Sequence, residues 1–390
     1  MILVVERVLA TPTSSTWPSC RFEVSLQKLL GMEGSMPPDD QQTAVKPRSL
    51  VGADLVVAAM VYVVAMFGFS SNFSAPIYPV ANYRDGFFKG VYSYRILGRD
   101  AVEGLHRVLA KIGAEGLFDR LPPDVSPTGG MFTSIVLFNA ICFLVFALLA
   151  RHVVRRANRD EMATSMVVWA VLVLAGLSLY VITPYDLLAL DLVAATLLVA
   201  TTRVPFDLLA VPLVIAGVLT RESELIALGA LVAVVPFGRR SPRRLVVAAA
   251  VGVGVATYLI VHLSVAGPGG FEQGSIRLAH NNLFNAKGSW AGLLMAALAI
   301  AAWRVVLRTA GLRFPKTTRL KEFPPVLVIF WIVVSPYLLT LAIGSHWFES
   351  LRLLMPLLLC ELWVRCEFLD EPDARIRRGQ RSRGLHSKEP

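Results

Sequence analysis

Apolar residues recur in runs of roughly 20 along most of the chain, the length an α-helix needs to cross the hydrocarbon core of a bilayer. The pattern predicts spans at about 51–70, 131–150, 162–182, 186–202, 204–220, 225–237, 245–265, 290–307, 324–343 and 353–369. The expected fold is all-α, a polytopic transmembrane bundle of about ten helices. The fifth and sixth runs are short. Residues 1–49 break the pattern, because 11–20 is rich in Ser, Thr and Pro and 36–48 is polar and contains proline. The chain therefore divides into a disordered cytoplasmic segment over 1–49, a membrane domain over 50–369 and a basic cytoplasmic tail over 370–390. A translation start at Met36 would leave only a short polar tail before the first span, and a native peptide from residues 1–35 would exclude it.

Basic residues set the orientation. Arg151, Arg155, Arg156 and Arg159 separate the second and third runs, and Arg239, Arg240, Arg243 and Arg244 the sixth and seventh. Arg308, Arg313, Lys316, Arg319 and Lys321 separate the eighth and ninth, and Arg375, Arg377, Arg378, Arg381 and Arg383 follow the last. With ten spans all four groups fall on one side. The positive-inside rule makes that side cytoplasmic, with both termini inside a bacterial inner (plasma) membrane.

Composition narrows the function classes. A net charge of +10 over 390 residues would by itself suit nucleic acid. Only 17% of residues are charged, however, and 55% are hydrophobic, with Lys and Arg in short loops between apolar runs. That arrangement orients a protein in a lipid bilayer and builds no groove for phosphates, so nucleic acid is not an expected partner. Cys20, Cys142, Cys360 and Cys366 show no CxxC pair or metal-ligand spacing and read as structural. No Walker lysine loop, Rossmann glycine fingerprint, HExxH or GxSxG element occurs.

The opposite face collects the remaining polar sequence. It holds a long first extracytoplasmic loop at about 71–130, a second at about 266–289, and tight turns near Thr183–Asp186, Arg221–Glu224 and Gly344–Arg352. Within the first loop, Val102, Leu105, Val108, Leu109 and Ile112 recur at helical spacing, opposite Arg99, Asp100, Glu103, Arg107 and Lys111. This predicts an amphipathic helix in the membrane interface, against the alternative of a helix packed on the loop itself.

Four places on that face carry candidate chemistry. Asp85, in Asn82-Tyr83-Arg84-Asp85-Gly86, is placed to act as a general base or to hold a metal ion, or it is a solvated acid before a turn glycine. Asp186 caps the fourth span or binds a ligand. Asp191 lies about 7.5 Å deeper by helical rise, where an acid should face the bundle interior beside a partner. Arg221, in Thr220-Arg221-Glu222-Ser223-Glu224, suits an anion, with Glu222 or Glu224 holding it, or forms a surface ion pair at a helical hairpin. Glu349 and Arg352 share a helix face beside Trp347, which fits either an interfacial belt or a sugar ring. Arg277, His280, Asn281 and Asn282 in the second loop are plausible ligand contacts without a motif.

These residues together resemble the integral-membrane glycosyltransferases of the GT-C superfamily, over about 50–369. Tyr94-Arg95-Ile96-Leu97 looks like a Tyr-Arg-hydrophobic-Leu segment of that family's first loop, and Tyr185-Asp186-Leu187 like a Tyr-Asp-Leu element. Thr220-Arg221-Glu222-Ser223 is similar to an Asn-Arg-Glu-Thr element, and Glu349, Arg352 and Pro356 to a closing Glu-x-x-Arg with a following proline. Asp85 stands where the family has an acidic pair. The resemblance implies a polyprenyl-phosphate sugar donor and an extracytoplasmic acceptor. Arg221 or Arg352 would neutralise the leaving phosphate and Asp85 would take the acceptor's proton. Tyr94, Arg95, Asp186, Glu222 and Glu349 would line the substrate. No obligatory cofactor is implied, and a divalent cation is left open. Two other readings stand beside it: a carrier or flippase for a lipid-linked or polar solute, and a non-catalytic scaffold for envelope assembly.

Overall fold

A computed structural model describes residues 50–70, 78–89, 93–118, 131–156, 160–179, 182–201, 206–234, 244–265, 286–312 and 349–369. All of the regular structure among them is helical. In chain order the helices are α1 (Val51–Ala65), α2 (Val80–Arg84), α3 (Ile96–Lys111), α4 (Met131–Arg155), α5 (Glu161–Ser178) and α6 (Asp186–Ala200). They continue with α7 (Ala210–Thr220), α8 (Glu224–Val234), α9 (Arg244–Val265), α10 (Ala286–Thr309) and α11 (Glu349–Leu369). Single π-helical turns extend α1 over Met66–Ser70 and α2 over Asp85–Lys89.

Five helices are long and apolar enough to cross a membrane: Val51–Gly68, Met131–Arg155, Glu161–Ser178, Arg244–Ser264 and Ala291–Thr309. The pattern of apolar runs predicts about ten. Of the others, α6 has 15 residues and α7 and α8 have 11 each, while α11 carries Glu361 and Arg365 inside its apolar length. The expected span at 324–343 and both termini lie outside the described residues, as do Arg277, His280, Asn281 and Asn282.

The long helices keep apolar side chains on their outer faces. Val56, Met60, Val63 and Val64 of α1 are exposed, as are Ile141 and Leu148 of α4. Continuous exposed apolar surface of this kind costs free energy in water and suits lipid. The inner faces pack on one another: Tyr62 of α1 stacks against Phe143 of α4 at 5.8 Å and donates its hydroxyl hydrogen bond to the Val136 carbonyl at 2.7 Å.

Ionic contacts fix which helix ends lie together. Arg151, near the C-terminal end of α4, pairs with Asp54 in the first turn of α1 and with Glu161 in the first turn of α5, and donates to Ser165 Oγ at 3.1 Å. Trp169 Nε1 donates to the second Asp54 oxygen at 2.8 Å. Arg156 reaches Thr201 at the C-terminal end of α6, and Glu361 of α11 pairs with Arg304 of α10 at 2.8 Å and Arg365 at 2.7 Å. These contacts gather one end of the bundle. The N-terminal ends of α6 and α11 and the α7–α8 turn consequently lie at the other.

The predicted helix of the first loop forms, as α3, but its polar face is not wholly outward. Glu103, expected on the solvated side, is buried and pairs with Arg84 at 2.9 Å and Arg107 at 2.8 Å. Two guanidiniums compensate its charge, and the hydrogen bond from Arg107 and the pair with Arg84 hold its carboxyl below the usual range against the opposing effect of burial. Val102 and Leu109 are buried, whereas Val108 and Ile112 stay exposed. The helix ends in a turn where Gly113, at φ 68°, donates to the Ala110 carbonyl and Ala114 to that of Leu109.

Candidate functional site

The short segment before α3, the turn before α6, the α7–α8 turn and the start of α11 meet at the end of the bundle away from Asp54 and Arg151. Asp186 is the centre of the meeting. Thr183 Oγ1 accepts from the Asp186 backbone N–H at 3.2 Å, so the hydroxyl caps the helix and the Asp186 carboxylate is left for other partners. Its Oδ1 accepts from Arg221 Nη1, and its Oδ2 lies 3.6 Å from Arg352 Nη1. The sequence offers capping as one role for Asp186; the structure gives that role to Thr183. Arg221 is 4% exposed. It forms a buried pair with Asp186, in place of the surface pair within the hairpin that adjacent Glu222 and Glu224 would allow.

Glu222 instead serves the first loop. Its Oε1 accepts from Arg95 Nη2 at 2.7 Å and from the Tyr94 hydroxyl at 3.0 Å. The Arg95 guanidinium lies 4.5 Å from the centre of the Tyr185 ring, the residue that precedes α6. Gly98 makes this approach possible, because a Cβ there would stand 2.4 Å from the Pro184 carbonyl oxygen. Burial works to raise the Glu222 carboxyl, but the Arg95 and Arg221 guanidiniums overcome it and hold the group down at about 2. Burial and the Glu222 charge push the Tyr94 hydroxyl up, so it remains a donor at neutral pH.

No family model, curated protein or solved structure matches the chain.

Five of the residues named from sequence are thus brought into one connected group: Tyr94 and Arg95 with Glu222, and Asp186 with Arg221. Arg352 joins through Asp186. Asp85 does not. Its side chain is 65% exposed on the π turn after α2 and pairs with Lys89 Nζ at 2.8 Å. The same turn still borders the group, since the Phe87 ring stands 6.0 Å from that of Tyr185. Glu349 opens α11, and its side chain lies outside the described residues, as do His346 and Trp347. Among the described residues no group of three or more His, Cys, Asp or Glu side chains is arranged to hold a metal ion.

Two more acids lie deeper. Asp191 is buried with its Oδ1 accepting no hydrogen bond among the described residues, and the Cys142 thiol beside it. Glu224 is 1% exposed, packs against Gly217, and neither carboxyl oxygen accepts a hydrogen bond among the described residues. The sequence expects an interior partner for Asp191, but offers Glu224 a place on a hairpin surface. The difference for Glu224 comes from Arg221, whose side chain turns to Asp186 and leaves the hairpin acid to fold inward. Sequence reading missed Asp54. An acid inside the first apolar run was the signal, because at that depth it requires a cation such as Arg151.

Proposed function

We propose that the chain is a membrane glycosyltransferase of the GT-C kind, moving a sugar from a polyprenyl-phosphate donor to an extracytoplasmic acceptor. The observation that supports it is Asp186 bridging Arg221 and Arg352, two guanidiniums contributed from distant parts of the chain. A buried carboxylate holding two guanidiniums in fixed orientation prepares an anion site, since a guanidinium forks onto phosphate oxygens. The site lies at a helix-bundle end, where a lipid phosphate sits while its tail stays among the exposed apolar faces.

In this reading the acceptor hydroxyl oxygen attacks the anomeric carbon of the donor. The bond from that carbon to the phosphate oxygen breaks, its electron pair leaves with polyprenyl phosphate, and Asp85 takes the acceptor's proton. Arg221 and Arg352 stabilise the negative charge that grows on the departing phosphate. Arg95 and Tyr94 hold Glu222 against the sugar. The membrane is the bacterial plasma membrane, with this end outside and the Arg151 end in the cytoplasm, where basic residues concentrate.

The test is transfer by purified protein given radiolabelled polyprenyl-phosphate sugar and an acceptor extract. Release of free polyprenyl phosphate with label in the acceptor supports the reading, and its absence with an active membrane fraction discards it. A carrier for a lipid-linked or polar solute is the second reading. It is favoured by Asp191 and Glu224, buried acids of a kind that ion-coupled transport places within helix bundles. Movement of solute without release of polyprenyl phosphate would establish it.

A further inference from the structure

Two residues absent from every sequence motif complete the wall of the site. Tyr258 and His262 stand one turn apart on α9 and so share a face. The His262 ring centre lies 4.5 Å from that of Tyr94 and 4.2 Å from that of Tyr258, with interplanar angles of 45° and 33°. The three rings lie in one row, each tilted to the next. At one end, the Tyr94 hydroxyl donates to Glu222 Oε1. At the other end of the row stands Tyr258. Both Tyr258 and His262 are half-buried, so part of the row remains open. Glu222 Oε2 accepts no hydrogen bond among the described residues, although it is a buried atom of a charged group.

An aromatic residue near the end of a membrane helix is ordinarily an interfacial anchor facing lipid. Here the rings turn inward, onto the buried Tyr94 and toward the arginine group. A hexose or pentose presents the matching pair of surfaces, with C–H bonds on one face and hydroxyl donors around its rim. Aromatic rings pack against the first, and a free carboxylate oxygen accepts from the second. Spacing favours the same ligand. Glu222 follows Arg221 directly, so a sugar contact adjoins the proposed phosphate contact, as it must in a donor where one oxygen joins sugar to phosphate.

We infer that Tyr258 and His262 form, with Glu222, the subsite for the donor's sugar ring; this rests on the glycosyltransferase reading. Tyr258, the outer ring of the row, packs against the sugar's C–H face with His262 supporting it from behind, and Glu222 Oε2 accepts from a ring hydroxyl. The rings are positioning and specificity residues and move no proton. The phosphate and the lipid tail are held elsewhere, by Arg221 and Arg352 and by the outer helix faces.

The test compares lipids that differ only in the sugar. Full-length protein in nanodiscs is titrated with undecaprenyl phosphate and with undecaprenyl phosphate bearing glucose, mannose or arabinose, and affinity is read by native mass spectrometry. Wild-type protein should bind at least one of the sugar-bearing lipids more tightly than the bare phosphate. Tyr258→Ala and His262→Ala should each weaken that lipid about tenfold, the scale of one lost ring contact, while undecaprenyl phosphate binds as before. His262→Phe, which keeps a ring in the row, should preserve the preference. Equal weakening of both lipids, or no sugar preference in wild type, overturns the subsite. If wild type fails to bind undecaprenyl phosphate, or Arg221→Ala binds it unchanged, the glycosyltransferase reading itself falls and the subsite with it.

Discussion

The Asp186–Arg221 pair should be strongly coupled, and a double-mutant cycle measures the coupling directly. Both side chains are buried, and Arg221 donates to one carboxylate oxygen while Arg352 stands 3.6 Å from the other. Removing one member of a buried pair costs about 3–5 kcal/mol, because its partner is left charged in a poorly solvating place. Arg352 still partly compensates Asp186, so Arg221→Ala should fall at the low end, about 3 kcal/mol. In an Asp186→Asn background no carboxylate remains to be stranded, and the same truncation should cost only about 1 kcal/mol, the value of an ordinary hydrogen bond. The expected coupling is therefore about 2 kcal/mol. Reversible unfolding of wild type, both single variants and the double variant in one detergent provides the four free energies. Effects that add to within about 0.5 kcal/mol would show that the two groups do not act on each other, and the prepared anion site would lose its basis.

Asp85→Asn should leave unfolding within about 0.5 kcal/mol of wild type, since its pair with Lys89 is exposed, yet lower transfer by about 10²–10⁴-fold if it is the general base; unchanged turnover would remove it from the mechanism. Gly98→Ala should destabilise by about 1–3 kcal/mol, because its new methyl must displace the Pro184–Tyr185 backbone, and a melting temperature equal to wild type would refute that approach. Asp54→Ala should cost about 3 kcal/mol by leaving Arg151 to Glu161 and Ser165 and taking the acceptor from Trp169; a comparable loss in Asp54→Asn, read by the same unfolding assay, would identify charge as the cause, and a much milder one would refute it. Glu222 has its folded-state carboxyl depressed from 4.5 to about 2, so its contribution is complete above about pH 4.5 and is lost as pH falls toward 2. Thermal unfolding should lose stability across that window in wild type and lack that component in Glu222→Gln.

The helical class was legible in the sequence, because apolar run length acts locally along the chain. The pairing of charges was not. Arg221 has Glu222 and Glu224 as sequence neighbours but reaches Asp186, 35 positions away, and Asp54 meets Arg151, 97 positions away. Which cation an acid finds depends on how helices pack, and Gly98 is an example of a packing contact with no signature in hydropathy. Tyr258 and His262 were hidden for a related reason. Inside an apolar run, a ring that faces the site and a ring that faces lipid give the same pattern.

The brevity of α6 has a consequence for the surrounding lipid. Its 15 residues extend about 22 Å, against a hydrocarbon core about 30 Å thick. Asp186 begins it, and Thr201, bound to Arg156, closes it at the opposite end. With both ends tied to charged partners, the helix cannot lengthen its reach by sliding or tilting freely. If α6 crosses the bilayer, either the membrane thins around the bundle or Asp186 and its arginines sit recessed below the headgroup plane. For the glycosyltransferase proposed above, a recessed site would require the donor's phosphate to sink below the plane of neighbouring headgroups as it docks, which would make the acyl-chain length of the host membrane a control on its access.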